Sequence, residues 1–320
     1  MDGTDLLDPE IATMLEALPA IVVDSTTIDV IRQFPLGATY EPSGAVTFED
    51  HAVPPRDGSG PDVKVRVHRP VGVEGPLPAV YAIHGGGYVI GTYESDDARF
   101  EVWCVKHRCI GVSVEYRLAP ETPYPGPLDD CYAGLAWTVE HADELGIDAG
   151  RIGVLGTSAG GGLAAGLALL VRDRGELSLA FQLLECPMID DRQVTPSSRL
   201  DGLAVWSRAS NEFGWRSYLG DRYGTDDIPA YAAAARATDL AGLPPALVNV
   251  GGADGFRDED IDYALRLGQA GVATELHVYP GAPHGVQMFP GSDAARRWNR
   301  HENEWLARQL HPDGQDAGDA

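Results

Sequence analysis

The chain has 320 residues, 44% of them apolar, with 48 acidic and 24 basic side chains for a net charge of −24. That length can bury one large core, or a core with a small accessory domain. The charge argues against nucleic acid and against anionic membrane surfaces as partners. There is no run of ~18 apolar residues, so no membrane span is expected.

In chain order, residues 1–45 carry an amphipathic helix over 9–18 and a second short helix over 27–33. Residues 46–53 and 63–68 alternate as antiparallel strands. Strands and helices then take turns: strand 80–84, helix 96–107, strand 110–115, helix 128–144, strand 151–155, helix 159–174 and strand 180–187. An irregular, partly helical stretch over 190–227 breaks this rhythm. Strand 246–251, helix 258–270, strand 274–279 and helix 293–310 complete it. Such alternation predicts an α/β fold, a mostly parallel sheet covered by helices on both faces. The expected organisation is a catalytic domain over 46–189 and 228–311, a cap from 1–45 and 190–227, and a disordered tail over 312–320. The acidic start has neither a basic n-region nor an apolar h-region, so a cytoplasmic protein is expected. Cys104, Cys109, Cys131 and Cys186 lack disulfide or metal spacing and read as reduced, mostly buried thiols. Cys186 precedes a proline and has no nearby base, which argues against a cysteine nucleophile.

Gly156-Thr157-Ser158-Ala159-Gly160 lies between an apolar strand and a helix. That is the context of a nucleophile elbow, where glycines permit a turn sharp enough to lift a serine hydroxyl above a sheet. Alone the pentapeptide is a weak signal, because a glycine loop packing a helix onto a strand reads the same way. His84-Gly85-Gly86-Gly87-Tyr88, after another apolar strand, strengthens it. The N–H groups of Gly85 and Gly86, with that of Ala159, are candidate oxyanion donors. There is no phosphate-loop lysine to support a nucleotide reading, and His84 is assigned a structural role. Two later strands end in functional side chains: 247–250 leads to Asp254, and 275–279 leads to His284 in a Pro-His-Gly loop. Strand ends are where open α/β sheets bind ligands. The order Ser158, Asp254, His284 then gives nucleophile, orienting acid and general base. Asp258, Glu259 and Asp260 compete with Asp254 but read as first-turn acids complementing a helix dipole. The pH–rate profile is expected to rise near the ordinary histidine value of ~6.5. Tyr88, Trp206 and Phe213 are candidate pocket walls, and Trp215 reads as structural.

Taken together, HGGGY at 84–88, Tyr116-Arg117-Leu118-Ala119-Pro120-Glu121, Pro123-Tyr124-Pro125, Asp129-Asp130-Cys131, GTSAGG, Asp254 to Asp258 and Pro283-His284-Gly285 resemble the bacterial hormone-sensitive-lipase family of α/β-hydrolases. Thr157 and the segments 190–192 and 211–215 resemble its GTSAG branch. Gly255 and Ala253 depart from the family pattern, where a proline and a larger apolar residue are common, and loosen the acid-bearing loop. The resemblance implies a serine carboxylesterase for short- to medium-chain acyl esters, with a helical cap and no cofactor or metal. The implied partner is a small-molecule ester, and an exposed last edge strand is compatible with a homodimer. An amidase or arylformamidase on the same triad is the alternative. A non-catalytic small-molecule receptor, another use of this fold, is disfavoured by the presence of His284.

Overall fold

Eight strands form one sheet in the computed structural model, which describes residues 3–17, 21–34, 40–56, 58 and 60–312. They are β1 (Val46–Val53), β2 (Val63–Pro70), β3 (Leu77–Ile83), β4 (Ile110–Glu115), β5 (Ile147–Thr157), β6 (Gln182–Glu185), β7 (Ala246–Gly251) and β8 (Thr274–Tyr279). Their order across the sheet is β1-β2-β4-β3-β5-β6-β7-β8. The pairs β1/β2 and β2/β4 are antiparallel, and every pair from β4/β3 to β7/β8 is parallel. Parallel strands need crossovers, and the helices supply them.

The helices are α1 (Pro9–Leu15), α2 (Ile28–Ile31), α3 (Asp97–Lys106), α4 (Gly126–Glu140), α5 (Ala142–Leu145), α6 (Ala159–Arg174), α7 (Arg208–Leu219), α8 (Arg257–Gln269) and α9 (Asp293–Leu310). The pleat of β3 shows how the sheet is covered. Ala79, Tyr81 and Ile83 pack with Leu128 and Leu135 of α4, Leu163 and Leu167 of α6 and Leu267 of α8. Val80 and Ala82 point the other way, to Phe100 and Trp103 of α3 and Trp305 and Leu306 of α9. With both faces buried, β3 is apolar throughout rather than alternating.

Boundaries differ from the sequence reading where local chemistry intervenes. The expected helix over 128–144 is two helices, interrupted at His141, whose φ of −105° and ψ of 14° are not helical. The strand expected over 180–187 stops at Glu185 because Cys186 turns to φ 37° ahead of Pro187. Leu18, at the end of the first expected helix, and residues 313–320 of the expected tail lie outside the described residues.

Residues 3–17 and 21–34 are tied to the rest of the molecule at several places. The Gly3 amide donates to the Asp201 carbonyl (2.6 Å) and that of Asp8 to Gly281 (3.0 Å). Ile11 of α1 is buried with Ala282, Val286 and Trp298. The Val23 amide donates to Ser210 Oγ of α7 (2.9 Å). Arg32 donates to the carbonyls of Val89 and Ala119, at 2.8 Å each, and pairs with Glu121. The insert over 190–227 is anchored by α7, whose Trp215, Tyr218 and Leu219 are buried in the main core.

Candidate active site

Ser158 stands at the β5–α6 junction with φ 57° and ψ −119°. A non-glycine residue held there costs roughly 1–3 kcal/mol of strain, so the surroundings must over-determine it. The Ser158 amide donates to the Glu185 carbonyl (2.8 Å), and its own carbonyl accepts from Gly162 (3.0 Å) and Met188 (2.9 Å). Gly160 is required by close approach, since a Cβ there would meet the Ile83 and His84 carbonyls.

Three strand ends converge on this serine. His284, beyond β8, sets Nε2 2.8 Å from Ser158 Oγ and Nδ1 2.8 Å from Asp254 Oδ2, beyond β7. Asp254 Oδ1 accepts the Phe256 amide at 2.9 Å, so the acid loop is tied despite Gly255. All three side chains are buried, and the Phe256 ring stands nearly perpendicular to the imidazole with centroids 5.0 Å apart. Burial opposes a charged His284, but the Asp254 carboxylate, with Cys186 close by, outweighs it and holds the imidazole well above its ordinary value.

The loop after β3 runs beside Ser158. Gly86 has φ 117°, open to glycine alone, and its carbonyl accepts from Val89 and Ile90, at 3.0 Å each. Among the described residues, the N–H groups of Gly85, Gly86 and Ala159 have no protein acceptor. His84 turns away from the serine. Its Nδ1–H donates to the Gly85 carbonyl (2.8 Å) and its ring stacks on Tyr116 at 4.2 Å. Burial lowers its pKa to about 4, so the ring is neutral and acts as a brace.

The three competing acids lie elsewhere. Asp258 accepts from the Ser197 amide (2.8 Å) and pairs with Arg257. Glu259 accepts from the amides of Ile189 and Asp190. Glu259 and Asp260 do sit in the first turn of α8, yet both are buried rather than solvated. Burial first, then neighbouring carboxylates, push both well above the usual carboxyl range.

Of the expected pocket walls, Trp206 lines a small cavity beside Asp254, with Leu203, Asn211 and Phe256. Its Nε1–H donates to Asn211 Oδ1 at 3.3 Å, and its ring covers Gly87 so closely that a Cβ there would collide. Tyr88 is not a wall. It is fully buried, stacks on Tyr218 at 4.0 Å and donates its hydroxyl to the Met188 carbonyl at 2.7 Å. Phe213 is half-buried against the main core, and Trp215 is wholly inside it.

The reading of Cys186 as remote from any base is corrected. Its thiol, an Asp254 oxygen and a His284 nitrogen lie within 4.8 Å of one another. The base comes from a loop far downstream, so no local spacing announces it. As a metal site the trio is compromised, because both imidazole nitrogens already bond the triad partners. The four cysteines are free and buried.

A serine bonded to an imidazole, itself bonded to a carboxylate, at the strand ends of a parallel sheet defines the class of protein. Residues 80–288 match the family model described as the alpha/beta hydrolase fold, and the chain belongs to that family. It is 35% identical to the esterase LipI of Mycobacterium tuberculosis (strain ATCC 25618 / H37Rv), over 91% of each chain. Among solved structures it is similar to a bacterial heroin esterase, with a TM-score of 0.89 and 42% identity over 96% of this chain and 99% of that one. It also resembles the esterase LipW of Mycobacterium marinum, with a TM-score of 0.84 and 34% identity over 97% and 98%. Among the described residues, no helix is long and apolar enough to cross a membrane.

Proposed function

We propose that this protein is a serine carboxylesterase that hydrolyses small short- to medium-chain acyl esters through an acyl-enzyme on Ser158. The observation that carries the proposal is the unbroken chain of 2.8 Å contacts from Ser158 Oγ through His284 to Asp254. Ser158 Oγ attacks the ester carbonyl as His284 Nε2 takes its proton. The imidazolium is stabilised by Asp254 and returns the proton to the leaving alkoxide. Water then attacks the acyl-enzyme by the same route. The N–H groups of Gly85, Gly86 and Ala159 face the developing oxyanion, and each such donor contributes ~2.7–4 kcal/mol in comparable sites. Residues 3–17, 21–34 and 40–45, the described part of the expected segment 1–45, act with 190–227 as a cap, and Trp206 is a wall of the acyl pocket. The esterase names of the relatives favour esters over amides as substrates.

The test combines labelling with a substrate panel. A fluorophosphonate should modify Ser158 alone. Ser158→Ala should lose turnover of p-nitrophenyl esters, retaining at most the ~10³–10⁴-fold advantage over water that binding and the oxyanion donors supply. Wild-type rates should peak between acetate and octanoate, falling by palmitate, with the anilide control slower. A faster anilide would transfer the assignment to an amidase. An unchanged Ser158→Ala rate would refute the triad.

A further inference from the structure

Glu185 ends β6 and is completely buried, an unusual place for a charge unless every lone pair is occupied. Its two carboxylate oxygens divide their partners. Oε2 accepts from Thr157 Oγ1 (2.6 Å) and from Arg99 Nη2 of α3 (2.7 Å). Oε1 accepts from Gln287 Nε2 (2.8 Å) and from Trp298 Nε1 of α9 (3.0 Å). Thr157 is the residue before the nucleophile and stands opposite Glu185 in the β5/β6 ladder. Gln287 lies in the short turn Val286–Met288, just past His284. The backbone carbonyl of Glu185 also takes the Ser158 amide. One residue therefore grips the serine turn with its carbonyl and one oxygen, and the histidine loop with the other oxygen. Neither grip touches Ser158 Oγ or the imidazole.

We propose that Glu185 is a positioning residue that sets the Ser158–His284 gap, and that it requires a hydrogen-bond donor at position 157. The inference rests on the serine-esterase reading and assigns one further part of that machinery. Burial disfavours the carboxylate, but the Arg99 charge and the surrounding donors outweigh it and lower its pKa to about 2. The carboxyl of Glu302 beside it is driven well above the usual range, by burial first and by the Glu185 charge second, and remains protonated. Glu185 is therefore a fixed anion across the working range of an esterase, not a proton carrier. An aspartate at 157 would set a second carboxylate against it without a counter-ion of its own. A misplacement of ~1 Å between reacting groups costs about 10²-fold in rate, so a loosened hub should appear in kcat.

The experiment uses full-length Thr157→Val, Thr157→Ser, Gln287→Leu, Thr157→Asp and the Thr157→Val/Gln287→Leu double variant, alongside Glu185→Gln. Steady-state kcat and KM on p-nitrophenyl acetate are read together with Tm. Thr157→Val and Gln287→Leu should each lower kcat by roughly 10–10²-fold with KM within a few-fold. Thr157→Ser should restore most of the loss. The double variant should be little slower than the worse single, because cutting either grip already frees the gap. Thr157→Asp should be the slowest of the single changes at 157. If Glu185→Gln does not fold, the variants at 157 and 287 still decide the matter, since they leave the buried charge in place. Losses in Tm without loss of kcat, or rate losses that multiply in the double variant, would overturn the proposal and leave Glu185 a core ion pair. Wild-type activity that survives Ser158→Ala would instead refute the esterase reading itself.

Discussion

The assignment of Asp254 is open to a test whose outcome follows from hydrogen-bond polarity. Asp254 Oδ1 accepts the buried Phe256 amide and Oδ2 faces His284 Nδ1. In Asp254→Asn the side-chain oxygen must stay on the Phe256 side, because turning it would set two N–H groups against each other in a dry site. The amide NH₂ then points at Nδ1 and forces that nitrogen to accept. The ring proton moves to Nε2, the atom 2.8 Å from Ser158 Oγ. A nitrogen that carries a proton cannot take another, so the general base is lost with the geometry intact. Reversal of the tautomer in this way costs ~10⁴ in kcat, or about 5.4 kcal/mol of transition-state stabilisation. The assay is kcat on p-nitrophenyl butyrate, normalised to the concentration of folded enzyme measured by circular dichroism. Asp258→Asn is the control. Its partners are the Ser197 amide and a partly exposed Arg257, and an ion pair of that kind contributes at most ~1 kcal/mol to stability. A loss below tenfold for Asp254→Asn, or a larger one for Asp258→Asn, would refute the reasoning.

Three other outcomes are expected. His284 must be neutral to act as a base, and Asp254 raises its pKa, so kcat/KM in the free enzyme should climb with pH through a midpoint above the ordinary ~6.5. The sequence alone suggested a midpoint at that ordinary value. A profile from pH 5 to 9 with its midpoint at or below ~6.5 would contradict the structure. Cys186→Ala should keep kcat within several-fold of wild type and leave all of the fluorophosphonate label on Ser158. Transfer of that label to Cys186 in the wild type would make the thiol the nucleophile. Trp206→Ala should shift the optimum to longer acyl chains, by about 0.8 kcal/mol, roughly fourfold in kcat/KM, for each methylene newly accommodated. An unmoved optimum in the ester panel would place the acyl pocket elsewhere.

What could be read from the sequence is what local pattern encodes. The run from Arg151 to Leu155 before Gly156, and Ala79 to Ile83 before His84, are apolar segments ending in glycine turns, and both become central strands of the sheet. His284 stood out because, of the nine histidines, it is the one in a Pro-His-Gly loop at a strand end. Tyr88 misled the reading for the same reason that made it noticeable. Adjacency to the oxyanion loop says nothing of direction, and φ 68° turns its ring inward onto Tyr218. Cys186 and Glu185 escaped because their partners arrive from other strands and helices. The one local hint was Glu185 itself, a charge closing the uncharged, mostly apolar run Phe181-Gln182-Leu183-Leu184.

The order of the strands has a consequence for how the molecule is made. Ser158 precedes His284 by 126 residues, and β6, α7, β7, α8 and β8 all lie between them. At ~5–20 residues per second, translation leaves roughly 6–25 s in which the nucleophile exists without its base. During that interval the nascent chain cannot turn over cellular esters, however well β3 and β5 have already paired. Hydrolysis is therefore a late reporter of assembly. In refolding, its recovery should trail the burial of Trp103 and Trp215 seen by fluorescence, because it waits for the last parallel strand to join the sheet.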